Sequence, residues 1–442
     1  MELNILDCGA LPEGTEPQTE KLQQAIDRVA ETGGRVIIPA GLWRTGTLLL
    51  RSRVELHLAR GAILFGTSQP DDYPDDDPVA RGLVQSRRAF DRRLIYGCGI
   101  EDAAITGPGT IDGSGGCAGY PFPRGDEGRP LNLQFVASRR IRIEGVHLRC
   151  AGSWMMQILA CEEVSLTNLV IWNHGNKTND GLDIDGSEDV SIRGCSIDSH
   201  DDALVFKSTG PRPCRRIVVT DCRLRSNCHG IKFGTESVGG FEDIRISNCL
   251  IGPSRVTAPM EGFPEGRPPI TGCALECVDG GIMRRISISG LIIEKAFAPL
   301  FIKLGNRHDR RLPKEEFTGQ GIVEDVVLSD ILATQAGSHT SSLTGYPGAP
   351  LRRITLRNIN LHCAGGYDGQ TISGPVPEYS DHYPEINMFT KGDSPLRHLP
   401  AYGLFFRHIE GLTLESVVLT TRSNDSRPAI VEENVTRLRA IP

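Results

Sequence analysis

Several things are missing from this 442-residue chain, and each absence narrows what it can be. No stretch approaches the roughly 18 consecutive apolar residues of a membrane-crossing helix, so no membrane role is expected. No long basic run exists. Acidic residues outnumber basic ones, 55 against 48, giving a formal net charge of −7, and this argues against a nucleic-acid partner. A diffuse negative charge also repels acidic polymers mildly, so an acidic ligand would need a local positive patch. The opening Met1-Glu2-Leu3-Asn4-Ile5-Leu6-Asp7 has no basic start and no long apolar segment, so no secretory signal is read there. Repeated CxxC pairs are absent and the 13 cysteines are odd in number. A reduced, cytoplasmic location is the expectation. With 39% hydrophobic and 23% charged residues, wholesale disorder is excluded. Glycine is abundant, at 50 residues. No collagen-like triplet accompanies it, so the glycines mark turns.

One short pattern recurs: aliphatic, any, aliphatic, any, Gly/Asn/Asp, apolar. It appears as Ile141-Arg-Ile143-Glu-Gly145-Val146, Val164-Ser-Leu166-Thr-Asn168-Leu169 and Val190-Ser-Ile192-Arg-Gly194-Cys195. It returns from Ile217, Ile244, Ile286, Val326 and Ile354, and closes at Leu412-Thr-Leu414-Glu-Ser416-Val417. The starts at 141, 164, 190, 217 and 244 lie 23, 26, 27 and 27 residues apart. Later copies fit the same period with insertions. Alternation predicts strands, and the Gly/Asn/Asp predicts a turn after each. A period of this size predicts a solenoid. No helical period intervenes, so the fold class expected is all-β, a right-handed parallel β-helix forming a single domain over 1–442. Cys195, Cys222 and Cys249 share one repeat position and read as an inward ladder of small hydrophobes. A metal site is the lesser reading, because their spacing follows the repeat and not a ligand motif.

Residues 1–60 differ. Glu20 to Thr32 places Leu22, Ala25, Ile26 and Val29 on one helical face, with Gly33-Gly34 as a stop, which suits a helix capping the open end of a solenoid. Arg35 to Pro39 and Leu48 to Leu58 read as the first strands. Residues 364–401 are Pro/Tyr/Gly-rich and aperiodic, and are expected to be a long loop or lid over the cleft.

A second alternating strand lies upstream of each repeat copy. Leu182/Ile184, Leu204/Phe206, Ile231/Phe233 and Leu275/Cys277 should point inward. Asp183, Val205, Lys207, Lys232, Glu276 and Lys303 should then form an outward, charged surface, with Lys232 and Lys303 solvated. Carboxylates cluster at the strand starts: Asp180 before one strand, Asp201 and Asp202 before the next, about one coil later. Coils of a parallel sheet lie about 4.8 Å apart, so the three should meet, and three crowded carboxylates do not all ionise easily. Glycoside hydrolysis needs two carboxyl groups in different protonation states. His229 starts the following strand and can bond to such a cluster or tune its protons. Against this stands a plain reading: an Asp at a coil corner can simply satisfy turn amides.

These motifs resemble glycoside hydrolase family 28, the polygalacturonase family. The likeness runs over roughly residues 5–335, in Thr178-Asn179-Asp180-Gly181, His200-Asp201-Asp202 and Cys228-His229-Gly230. The resemblance implies that Asp201 is the general acid and that Asp180 and Asp202 activate water with inversion. Asn179 beside them and the outward Asp183, Lys207, Lys232, Glu276 and Lys303 are the candidates for binding substrate. It implies neither an organic cofactor nor a metal. The partner expected is an oligosaccharide or polysaccharide of pectin type, and the oligomeric state is left open. One departure is plain. Where the family carries Arg-Ile-Lys, this chain reads Gly272-Cys273-Ala274-Leu275-Glu276. Either Lys232, Lys303 or Arg307 replaces those cations, or the sugar there is neutral, such as rhamnose. The insertion Pro253–Pro269 and the 364–401 segment favour a closed, exo-acting pocket. The rival readings are a polysaccharide lyase on the same fold and a non-catalytic carbohydrate-binding solenoid.

Overall fold

The computed structural model describes residues 1–74, 78–84, 92–117, 128–256, 269–307, 320–369, 374–390, 396 and 398–438. It separates into two compact units: Met1–Leu204 with Ile217–Arg223, and Val205–Arg216 with Leu224–Pro442. Each is built from coils of a right-handed parallel β-helix.

In the first unit every coil supplies three short strands. One row stacks Gly34–Ile38, Val54–Leu58, Ala104–Thr106, Arg139–Glu144, Glu162–Thr167 and Glu188–Arg193. The recurring pattern is this row. Ile141 pairs with Val164 and Val164 with Val190, while Ile143, Leu166 and Ile192 form the next column. All are buried. A second row runs from Gly41–Thr45 to Ser196–Ser199. The third includes Leu131–Val136, Met156–Leu159 and Leu182–Asp185. The helix spans Thr19–Ala30, buries the four residues expected of it, and packs on the first strands. In the second unit the first two rows fuse into long strands: Gly240–Pro253, Ile282–Glu294, Ile322–Thr334 and Leu351–Gly365.

The turn expected after each pattern is real and left-handed. Gly145, Asn168, Gly194, Asp221, Asn248, Gly290, Asp330, Asn358 and Ser416 all have φ between 51° and 75°. Gly, Asn and Asp tolerate that region best. A second left-handed corner precedes each aliphatic start, at Arg140, Glu163, Asp189, Arg216, Asp243, Arg285, Asp325, Arg353 and Gly411. All but Gly411 are ordinary charged residues, and no composition signal marks those. Cys195 and Cys222 in the first unit and Cys249 in the second are buried. All 13 cysteines are free thiols.

The outward surface expected of the third row is corrected by burial on both faces. Thr271–Cys277 and Ala298–Leu304 are buried at every position. In the second unit Val376, Ile386, Met388, Phe389, Leu396 and Leu399 cover Ala274, Phe301 and Phe405. The described part of the 364–401 segment is therefore a packed cover on this row. Most of the Pro253–Pro269 insertion lies outside the described residues. No helix among the described residues is long and apolar enough to cross a membrane.

Candidate active site

The first unit brings Asp180, Asp201 and Asp202 together: one oxygen from each lies within 4.8 Å of the others. Coil geometry does this. Asp180 and Asp202 end the turns before two successive third-row strands, and the backbone ties them, with Gly181 N donating to Asp202 O at 2.8 Å and Asp201 N to Asn179 O at 3.3 Å. Gly181 must be glycine, since a Cβ would lie 2.3 Å from Ala203 O and 2.6 Å from Ile197 Cγ2. Asp180 and Asp202 are buried and Asp201 is half-buried. Asp201 Oδ1 also accepts from the Asp202 amide at 3.0 Å, so the turn-satisfying reading holds for that oxygen. The three could bracket a cation, but an acidic cluster alone assigns no metal.

Asn179 is fully buried, and its amide serves the backbone: Nδ2 donates to Ala151 O (3.1 Å) and Ser153 O (2.7 Å), and Oδ1 accepts from Asn176 N at 2.7 Å. It shapes the turn that presents Asp180, with both amide hydrogens donated to backbone carbonyls. Asp183 is also fully buried, paired in register with Gln157.

The second unit holds the remaining candidates on its third row and under its cover. His229 opens His229–Ser237 and is wholly buried. Its following Gly230 has Ile251 Cγ2 2.3 Å from where a Cβ would sit. Lys207 pairs with Glu236 at 3.2 Å, both buried. Lys232 lies 3.8 Å from Glu276, which also accepts from Thr235 Oγ1 at 3.1 Å. Thr235 Oγ1 in turn lies 3.1 Å from the Tyr383 hydroxyl. The solvated reading of Lys232 and Lys303 is overturned: they are 4% and 1% exposed. Lys303 Nζ reaches Glu378 O at 3.4 Å and lies 5.4 Å from the Phe389 ring centre. Burial pushes its ammonium down to about 7. Arg307 makes a two-pronged pair with Asp279 at 2.7 and 3.0 Å. Burial raises the Asp279 carboxyl more than Arg307 lowers it.

One residue here was not anticipated. Glu385 Oε2 stands 3.6 Å from His229 Nε2. It is 156 positions away in sequence, in an aperiodic stretch, and nothing in the residue pattern points to it.

The model of glycosyl hydrolases family 28 matches residues 81–375. The chain belongs to that family. The match starts later and runs further than the motif likeness, which spans 5–335. A probable polygalacturonase of Vitis vinifera is 24% identical over 382 residues, covering 82% of this chain and 74% of the relative. An exo-poly-alpha-D-galacturonosidase of Dickeya chrysanthemi is 36% identical over 118 residues, covering 26% and 19%. A hyperthermoactive exopolygalacturonase of Thermotoga maritima superposes with a TM-score of 0.69 at 20% identity, over 95% of this chain and 92% of that one. This chain is a glycoside hydrolase, and the lyase and non-catalytic readings are set aside.

Proposed function

We propose that the enzyme hydrolyses an α-glycosidic bond in pectin-derived oligosaccharides of galacturonide or rhamnogalacturonan type, from a chain end. The carrying observation is the meeting of three carboxylate oxygens within 4.8 Å. Asp201, the least buried of the three, protonates the departing oxygen, while Asp180 and Asp202 deprotonate water. Keeping one proton among crowded carboxylates costs less than ionising all three, so an acid and a base coexist at neutral pH. The usual carboxyl separation in inverting enzymes is about 6.5–9.5 Å. This cluster is tighter, so the inverting outcome rests on family resemblance and not on spacing. His229 is assigned a catalytic role on the family resemblance of its motif, Cys228-His229-Gly230.

A neutral sugar beside Glu276 is supported by charge. Lys232 faces Glu276, Arg307 is held by Asp279, and Lys303 is buried with its charge disfavoured. A carboxylate ligand would meet Glu276 as a like charge. Exo action is supported by the printed activities of the Dickeya chrysanthemi and Thermotoga maritima relatives and by the cover. The test is product analysis on oligogalacturonides, rhamnogalacturonan fragments and aryl rhamnosides. Single sugars released from one end support the proposal. Mixed internal fragments refute exo action, and cleavage of galacturonides alone refutes the neutral sugar. An unsaturated, ultraviolet-absorbing product would refute hydrolysis.

A further inference from the structure

We propose that Glu385 is a positioning residue for His229: the cover segment supplies the carboxylate that orients the buried imidazole. This rests on the catalytic assignment of His229 above. The observation is a buried acid–base pair bridging two distant stretches of the second unit. Glu385 Oε2 is 3.6 Å from Nε2 of a histidine with no exposed surface. Its other oxygen is already engaged, since Glu385 Oε1 accepts from the Ile386 amide at 3.0 Å. One oxygen therefore fixes the carboxylate and leaves the other aimed at the ring. A charged group this buried is costly unless paired. Burial alone would raise the Glu385 carboxyl, yet it is held below its ordinary range because His229 and Lys232 outweigh that effect.

The cover is fastened on both sides of Glu385. Upstream, Arg407 donates to Val376 O at 2.6 Å and Pro377 O at 3.0 Å, and His408 Nε2 lies 3.1 Å from Glu378. Downstream, Ile386, Met388 and Phe389 are pinned in the apolar cluster over Ala274 and Phe301. A carboxylate on a segment anchored in this way can hold a ring nitrogen in place. Partners that fix a histidine's orientation are a recurring need of catalytic imidazoles.

The test combines kinetics with a signal independent of turnover. Glu385→Ala should lower kcat about 10–100-fold, with KM changed less than threefold, and Glu385→Gln, which keeps shape and acceptor, should recover most of the loss. Combined with His229→Ala, Glu385→Ala should add little, because both act through one ring. In parallel, the His229 signal in 15N-histidine-labelled protein, assigned by its loss in His229→Ala, should shift in Glu385→Ala. Full additivity, an effect on KM alone, or no recovery by Glu385→Gln would overturn the proposal. So would an unmoved His229 signal. That readout needs no substrate, so it separates failure of the pairing from failure of the pectin assignment.

Discussion

Replacing Lys303 with methionine should make the protein more stable at neutral pH. Lys303 is 1% exposed, and its only hydrogen bond among the described residues is a long one, 3.4 Å to Glu378 O. The Phe389 ring centre, 5.4 Å away, adds a modest cation–π attraction. Burial lowers its pKa from 10.5 to about 7, opposed by Glu378 and reinforced by Arg407. At about 1.36 kcal/mol per unit, the charged form carries a penalty on the order of 5 kcal/mol. Methionine has similar length and no charge. It forfeits one weak hydrogen bond, worth about 1 kcal/mol, and the cation–π attraction, worth up to about 1 kcal/mol, so the net gain at pH 7 is roughly 3 kcal/mol. The sign of the pH dependence follows from the lowered folded pKa. Between about pH 7 and 10.5 the unfolded chain holds a proton that the folded chain lacks, so this group's contribution to stability rises with pH across that window. Below it, both states are protonated and the penalty is complete. Urea unfolding of the wild type and Lys303→Met at pH 6, 7, 8 and 9 measures this directly. The variant's advantage should be largest at pH 6–7 and shrink by pH 9. A variant less stable at pH 7, or an advantage independent of pH, would refute the reasoning.

Two further outcomes follow from corners and cover. Asn168 sits at φ 54°, so Asn168→Ala should cost about 1 kcal/mol in thermal or urea unfolding while Asn168→Gly is near neutral. Gly194→Ala should cost more, because its Cβ would stand 2.5 Å from Asn168 Oδ1. Arg407→Ala removes the donors to Val376 O and Pro377 O and should speed limited proteolysis within 374–390 several-fold. An unchanged cleavage rate would show that the apolar pins alone hold the cover.

The coiled architecture was legible because one corner of every coil needs a left-handed residue, and Gly, Asn or Asp at that place punctuates the period. Its companion corner, at Arg140, Glu163, Asp189 and their successors, was silent, since charged residues were recruited to the same backbone region. The thiol ladder was readable from spacing alone. The three aspartates were readable because one coil length separates them. The state of the lysines was not. Alternation turned Lys232, Lys303 and Glu276 away from the solenoid core, but the cover that meets this row, with Glu378 and Phe389 at Lys303 and Tyr383 at Thr235, lies far along the chain in a stretch without period. Glu385 was invisible for the same reason. The backbone role of Asn179 was not legible: its amide bonds to Ala151, Ser153 and Asn176.

The most direct measurement is turnover by Asp201→Asn, with Asp180→Asn and Asp202→Asn beside it, on whichever pectic oligosaccharide the wild type cleaves. With folding verified by circular dichroism, each kcat should fall by about 10²–10⁴ and KM should change little. Undiminished kcat in a folded Asp201→Asn protein would contradict the assignment of the three clustered carboxylates as the catalytic groups.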